Sequence, residues 1–198
     1  MISRRGYLTD PFTDLLFNTL LGFTLLLFLT VALSEEITRR GLVDPKAEFL
    51  ITATWPEQRR DDVDLWVQDP SGQTVSYLRR EAGLMHLDRD DRGDVTDTVE
   101  IEGRKIVHPI NQEIVSLRAV AAGEYIVNLY LYRAANEGPV PVTVKLERVN
   151  PRFETVLVET VVLTAQDEEI TVTRFSLGNE REVHKVNRLA KRLTPYAL

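Results

Sequence analysis

The sequence predicts a single N-terminal transmembrane helix followed by an all-β antiparallel sandwich, with a short C-terminal helix as one reading of the tail. Three observations carry this. From Leu15 to Leu33 the chain reads LLFNTLLGFTLLLFLTVAL, without one charge. At about 1.5 Å per residue this run makes a helix of roughly 28 Å, close to the ~30 Å hydrocarbon layer of a bilayer. From Ala47 onward, apolar residues alternate with polar ones in short runs broken by Gly, Pro, Asn and Asp, the pattern of half-buried strands. Helical spacing returns only in the tail, from Glu182.

The helix start is written at Asp10-Pro11-Phe12. Asp10 can accept hydrogen bonds from free main-chain N–H groups, and Pro11 at the first helical position loses none. Asp14 then lies about one turn inside, with Asn18 at i+4 and Gly22 at i+8 on the same side. The opposite side is Leu, Phe and Val. Burying a carboxylate ion is expensive, and one found at membrane depth usually belongs to a proton or ion path. The bland reading is a hydrated first-turn acid at headgroup level, stabilised by the helix N-terminus. Asn18 speaks against it, because an amide a further turn inside has no use on a helix that merely anchors. Thr13 and Thr24 can bond to their own helix backbone and are given no role.

The 198 residues carry a formal charge of −6 and no cysteine. Disulfides and thiolate metal sites are excluded, so the soluble part stands on its apolar core. Arg4 and Arg5 offset Asp10 and Asp14, so all of the −6 lies beyond the membrane segment. This argues against a nucleic-acid partner, which would want a basic face. Arg4 and Arg5 favour a cytoplasmic N-terminus, although Arg39, Arg40 and Lys46 follow on the other side. A cleaved signal peptide fits less well: the apolar run is too long, two acids precede it, and Ala32-Leu33-Ser34 is a poor cleavage triplet.

Asp-Pro-Phe-Thr-Asp-Leu-Leu-Phe, residues 10–17, with the leucine-rich run behind it resembles the membrane segment of the ExbD/TolR family, related to the flagellar stator protein MotB. Pro11, Phe12 and Asp14 match the Pro-Phe-x-Asp pattern that opens the family's single helix. The resemblance covers about residues 10–33. It implies that Asp14 is the ion-conducting carboxylate; the support of Asn18 and Gly22 from the same face is read from the helical spacing. It also implies a homodimer of this helix within a pentameric ring of a multi-helix MotA/ExbB/TolQ-like protein in the bacterial inner membrane. Asn18 and Thr19 are more polar than the family's aliphatic residues there. The proton is the expected ion and sodium the alternative.

Ser34 to Lys46 is short and charged, and the last helical turns can run through it before Gly41 stops them. There is no long stalk, which places the soluble domain near the membrane. The expected divisions are a cytoplasmic tail over 1–10, the membrane helix over 11–34, a linker over 35–46, an extracytoplasmic or periplasmic sandwich over 47–178, and a tail or helix over 179–198. Strands are predicted at Phe49–Ala53, Asp62–Val67, Thr74–Leu78, Glu113–Val120, Tyr125–Tyr132, Val140–Arg148, Thr155–Leu163 and Glu169–Phe175. Asp69-Pro70-Ser71-Gly72 turns the second into the third. Over Glu182–Leu193, Val183, Val186, Leu189, Ala190 and Leu193 recur at helical spacing among Arg181, Lys185, Arg188, Lys191 and Arg192. A packed terminal helix, a basic helix lying on lipid and a frayed tail are the three readings.

Leu84 to Val99 reads as an acidic loop, with Asp88, Asp90, Asp91, Asp94 and Asp97 close together and Asp62 and Asp64 able to lie beside them. Calcium wants six to eight oxygens from carboxylates and carbonyls. No glutamate closes an EF-hand loop, so a calcium site here would be assembled by the fold, from Asp62, Asp64, Asp88, Asp90 and Asp91. The plain reading is a solvated loop in which Arg89 and Arg92 offset the acids. Asp62-x-Asp64-Leu-Trp-Val-x-Asp69-Pro-Ser-Gly followed by Leu87-Asp88-x-Asp90-Asp91 resembles bacterial extracytoplasmic β-sandwich domains of the DUF2135 type, over about residues 47–132, and adds weight to the calcium reading.

An enzyme is not expected. His86, His108 and His184 are scattered, and neither a Gly-x-Ser-x-Gly elbow nor a phosphate loop occurs. Trp66 and Tyr77 read as core or edge residues before a sugar platform. Two functions remain. In the first, the chain is the proton-conducting subunit of an ion-driven membrane motor, needing no cofactor. In the second, it is a calcium- or ligand-binding sandwich on an inert anchor.

Overall fold

The computed structural model describes residues 10–41, 47–57, 59–93, 98–107 and 110–196. The tail before Asp10, the end of the linker, Asp94, Asp97 and His108 lie outside these. The chain divides into two compact units, Met1–Pro45 and Lys46–Leu198.

The first unit is one helix, α1 (Pro11–Gly41). It continues through the charged segment beyond residue 34, so the expected linker is helical over its first half. Asp10 caps it: Oδ1 accepts the Phe12 N–H at 3.1 Å, and the first helical bond runs from Asp14 N to Asp10 O. The stretch Pro11–Val31 is 21 residues, long and apolar enough to cross a membrane. Its Leu and Phe side chains are spread around the helix and exposed, in contrast to the single apolar stripe of an amphipathic helix. Thr19, Thr24 and Thr30 return their hydroxyls to the carbonyls of Leu15, Leu20 and Leu26, which removes three polar groups from the surface. Thr13 instead bonds the capping carboxylate of Asp10, at 3.0 Å.

The second unit consists of antiparallel sheets. Its strands are β1 (Phe49–Thr54), β2 (Asp62–Gln68), β3 (Thr74–Val75), β4 (Glu81–Ala82), β5 (Met85–Arg89), β6 (Thr98–Ile101), β7 (Arg104–Val107), β8 (Gln112–Leu117), β9 (Gly123–Arg133), β10 (Val140–Arg148), β11 (Glu154–Leu163), β12 (Glu169–Leu177) and β13 (Val183–Asn187). One sheet has the order β11-β10-β1-β8-β5-β4, the other β13-β12-β9-β2-β3, and β6-β7 is a separate hairpin. Between the two larger sheets lies the apolar core. Phe49, Ile51 and Ala53 of β1, Val63, Leu65 and Val67 of β2, Val115 and Leu117 of β8 and Phe175 of β12 all point into it. Tyr125 stacks on Phe175 with centroids 5.5 Å apart and keeps its hydroxyl satisfied on the Ala121 main chain. Period-two alternation is thus cashed out as an inner apolar face on each sheet.

Three expectations are corrected. Thr74–Leu78 is a strand only over Thr74–Val75, because Ser76 and Arg79 exchange main-chain bonds and turn the chain. The acidic loop begins as a strand, β5, with Met85 and Leu87 buried against β8. The C-terminal helix does not form. β13 pairs with β12, Leu177 opposite Val183, and Lys185 has φ +53°, outside the right-handed helical region.

Beyond β13 the tail runs extended over the outer face of the second sheet. Its main chain bonds to side chains there: Asn128 and Thr171 donate to Lys191 O, and Glu169 accepts from Leu193 N and Thr194 Oγ1 at 2.7 and 2.6 Å. Helical spacing lost because these long-range acceptors replace the i−4 carbonyls. The basic residues are engaged too, Arg181 with Glu48, Arg188 with Glu159 and Arg192 with Glu169. Replacing Glu169 by Ala leaves two or three N–H and O–H donors of the tail unpaired, a loss of about 1–3 kcal/mol. We expect a lower Tm and faster tryptic cleavage after Lys191 and Arg192 than in the wild-type chain.

Candidate functional site

Two places draw attention, the Asp14 face of α1 and a buried carboxylate cluster in the sandwich. In α1, Asn18 Nδ2 donates to Asp14 Oδ1 at 3.4 Å, so the acid and the amide of the sequence reading do meet along one face. Gly22 continues that face, and a Cβ built on it would meet nothing within 4 Å. Pro11 opens the helix and Phe12 projects outward from its first turn.

In the sandwich, the site begins from a gap in strand pairing. β3 covers β2 only at Val67 and Gln68, which leaves the Leu65 N–H on that side without a strand partner. Glu113 supplies the acceptor. It alternates with Val115 and Leu117 along β8 and so points inward, and its Oε2 takes the Leu65 N–H at 2.6 Å across the sandwich. Glu113 is wholly buried.

On β2, Val63 and Leu65 occupy the core phase, so Asp62 and Asp64 share the opposite phase. Asp64 is nonetheless buried, with 4% of its surface exposed. Asp90, just past β5, completes the group: one oxygen each from Asp64, Asp90 and Glu113 lie within 4.8 Å of one another. Above them opens a cleft of about 230 Å³ lined by Asp62, Asp64, Tyr77, Asp90, Arg92 and Tyr132. Tyr77 packs edge-on against Trp66 and Tyr132, at 6.0 and 5.8 Å, and holds the cleft wall in place.

The electrostatics follow from crowding acids where water is scarce. Burial, then the charges of Asp62 and Asp90, push the Asp64 carboxyl up to about 8. Burial pushes Asp62 up to about 6, against the pull of Arg133. Glu113 is raised well above the usual range by burial and by Asp64, although the main-chain N–H groups of Leu65 and Asp91 favour its ionised form. Arg80 and Arg92 each approach Asp90 Oδ2 at 3.7 Å. Three clustered carboxylates in this setting can hold a hard cation or share protons.

The residues expected to hold calcium part company here. Asp64 and Asp90 enter the cluster and Asp62 lines the cleft beside it. Asp88 turns outward, its Oδ1 2.8 Å from His86 Nδ1. Asp91 is buried and structural: it accepts from Gly93 N, Gln112 N and Arg89 Nη2, fastening the turn after β5 to the start of β8. Glu113 was missed by the sequence reading, although one signal was visible, an acid standing in phase with core Val115 and Leu117. A larger cleft of about 340 Å³ under the tail contains Glu169, but the tail's own donors occupy that carboxylate.

No protein-family model, curated protein or solved structure matches the chain.

The raised carboxyls set a pH dependence. Asp62 and Asp64 bind protons more tightly in the folded domain than in the unfolded chain, so the folded state holds more protons from about pH 4 to about pH 8. Stability therefore falls as pH rises through that window. With divalent cations chelated, the Tm of the sandwich should drop between about pH 5 and about pH 8, and Asp64→Asn should flatten the profile. A Tm that climbs over the same range would contradict the assignment.

Proposed function

We propose that this chain is the single-helix, proton-conducting subunit of a membrane motor, anchored in a bacterial inner membrane with its N-terminus cytoplasmic and its sandwich outside. The observation that carries the reading is the Asp14–Asn18 pair, followed by Gly22, on one face of a helix otherwise sheathed in Leu and Phe. A carboxylate and an amide facing lipid are costly, whereas the same stripe against protein is a working surface. The open space at Gly22 lets a second backbone come close. The Pro11-Phe12-x-Asp14 resemblance to ExbD/TolR proteins supports the same geometry, two such helices inside a pentameric ring of a multi-helix partner.

In this reading Asp14 takes a proton from one aqueous side, passes the partner ring neutral, and releases it on the other. Asn18 holds the carboxyl oriented by its amide. Each charge crossing 100 mV is worth about 2.3 kcal/mol, so a few transfers supply a mechanical step. The sandwich receives that force.

Asp14→Asn should abolish proton flux in vesicles carrying the complex while the partner still co-purifies. Gly22→Leu should instead reduce co-purification, because the side chain fills the contact. Unchanged flux in Asp14→Asn, or a chain that purifies without any multi-helix partner, would leave only a tethered sandwich.

A further inference from the structure

We infer that Asp64, Asp90 and Glu113 form a calcium site between the two sheets, with Asp62 at its rim. This goes beyond the motor reading and stands without it.

The first support is geometric. The three oxygens lie within 4.8 Å of one another. Two ligands of one calcium ion, at 2.3–2.6 Å each, are at most about 4.6–5.2 Å apart, and three spread evenly around it about 4.0–4.5 Å, so one ion reaches all three with small side-chain adjustment. Magnesium, at 2.0–2.1 Å, spans only about 4.2 Å and demands near-ideal octahedral ligands.

The second support is independent of the clustering. Asp64 Oδ2 and Glu113 Oε1 are buried and accept no hydrogen bond. Leu65 N–H occupies the other oxygen of Glu113, so the free one is the atom left to face the cluster. Buried acceptors without donors are rare in folded proteins and call for a ligand.

The third support is the sign of the surroundings. Among the described residues, the charges that raise Asp64 are those of Asp62 and Asp90, and those that raise Glu113 are Asp64 and Asp90. The guanidinium groups of Arg80 and Arg92 approach Asp90 at 3.7 Å, and Arg133 and Arg92 act on Asp62 at the rim. The cleft above supplies room for the water molecules that complete calcium's six to eight ligands. A bound ion would also join β2, β8 and the end of β5, elements from both sheets.

The test uses the full chain in detergent micelles, stripped with a chelator and titrated with calcium chloride. Two readouts are followed, Tm and the displacement of terbium whose emission is sensitised by Trp66 and Tyr77. Expected is saturable displacement with a Kd of about 10⁻⁴–10⁻³ M, the range of extracellular calcium modules. At about ten times Kd the Tm should rise by about 3–6 °C. Glu113→Gln keeps an acceptor for Leu65 N–H, and it should weaken calcium at least about tenfold. Asp90→Asn lies at the cluster's edge and gives the same test where Glu113→Gln fails to fold. Asp88→Asn, outside the cluster, should titrate like wild type. No Tm rise and no displacement of terbium at millimolar calcium would overturn the site, as would wild-type affinity in Asp90→Asn.

Discussion

Glu113 reaching from the inner face of one sheet to the Leu65 N–H of the other is the contact on which the acidic end of the sandwich depends. A main-chain N–H buried without an acceptor costs about 1–3 kcal/mol, and β3 is too short to provide one at Leu65. An apolar side chain could fill the space but not make the hydrogen bond. The carboxylate answers the strand's need and in doing so brings negative charge into a place where Asp64 and Asp90 are also held. The Asp91 carboxylate, by tying Gly93, Gln112 and Arg89 together, fixes the turn that delivers Asp90. Gly93 belongs to the same turn, since at φ +70° a side chain would lie 2.7 Å from Arg60 O.

The outer face of the second sheet shows a different solution to the same problem. Asn128, Trp66 and Tyr130 lie on a side that alternation would assign to water, yet all are buried. The extended tail covers them, and Glu169 and Asn128 hold it through its main-chain groups. Tyr130 and Tyr196 meet with centroids 5.7 Å apart, and Tyr196 also reaches Tyr77 at the cleft wall. The tail and the acidic cleft are therefore mechanically adjacent: the residue that seals one also supports the other.

Asp14 and Asp64 make an instructive pair. Asp14 is an exposed carboxylate on an apolar helix, whereas Asp64 is buried by a packed fold. In the sandwich the surrounding acids and the orphaned oxygens are all supplied by the chain itself. On the helix, Asp14 and Asn18 are exposed and a Cβ at Gly22 would meet nothing within 4 Å, so the polar face is left open by the described residues of the helical unit.

Local order was legible in the sequence because it depends on near neighbours. The uncharged run, the cap at Asp10, the i+4 relation of Asp14 and Asn18, and the alternation of β1, β2, β9, β10 and β12 follow from helix and strand periods alone. The tail misled because its helical spacing competed with acceptors on Glu169, Asn128 and Thr171, residues distant in sequence that no local period reveals. The acidic loop misled in the same way: β8 captured Met85 and Leu87, which turned Asp88 outward and left Asp90 at the strand's end. What the sequence alone determined was which segments bury apolar surface; which carboxylates share one cavity was decided by the pairing of the two sheets, because contacts such as Glu113 to Leu65 exist only once strands far apart in the chain lie face to face.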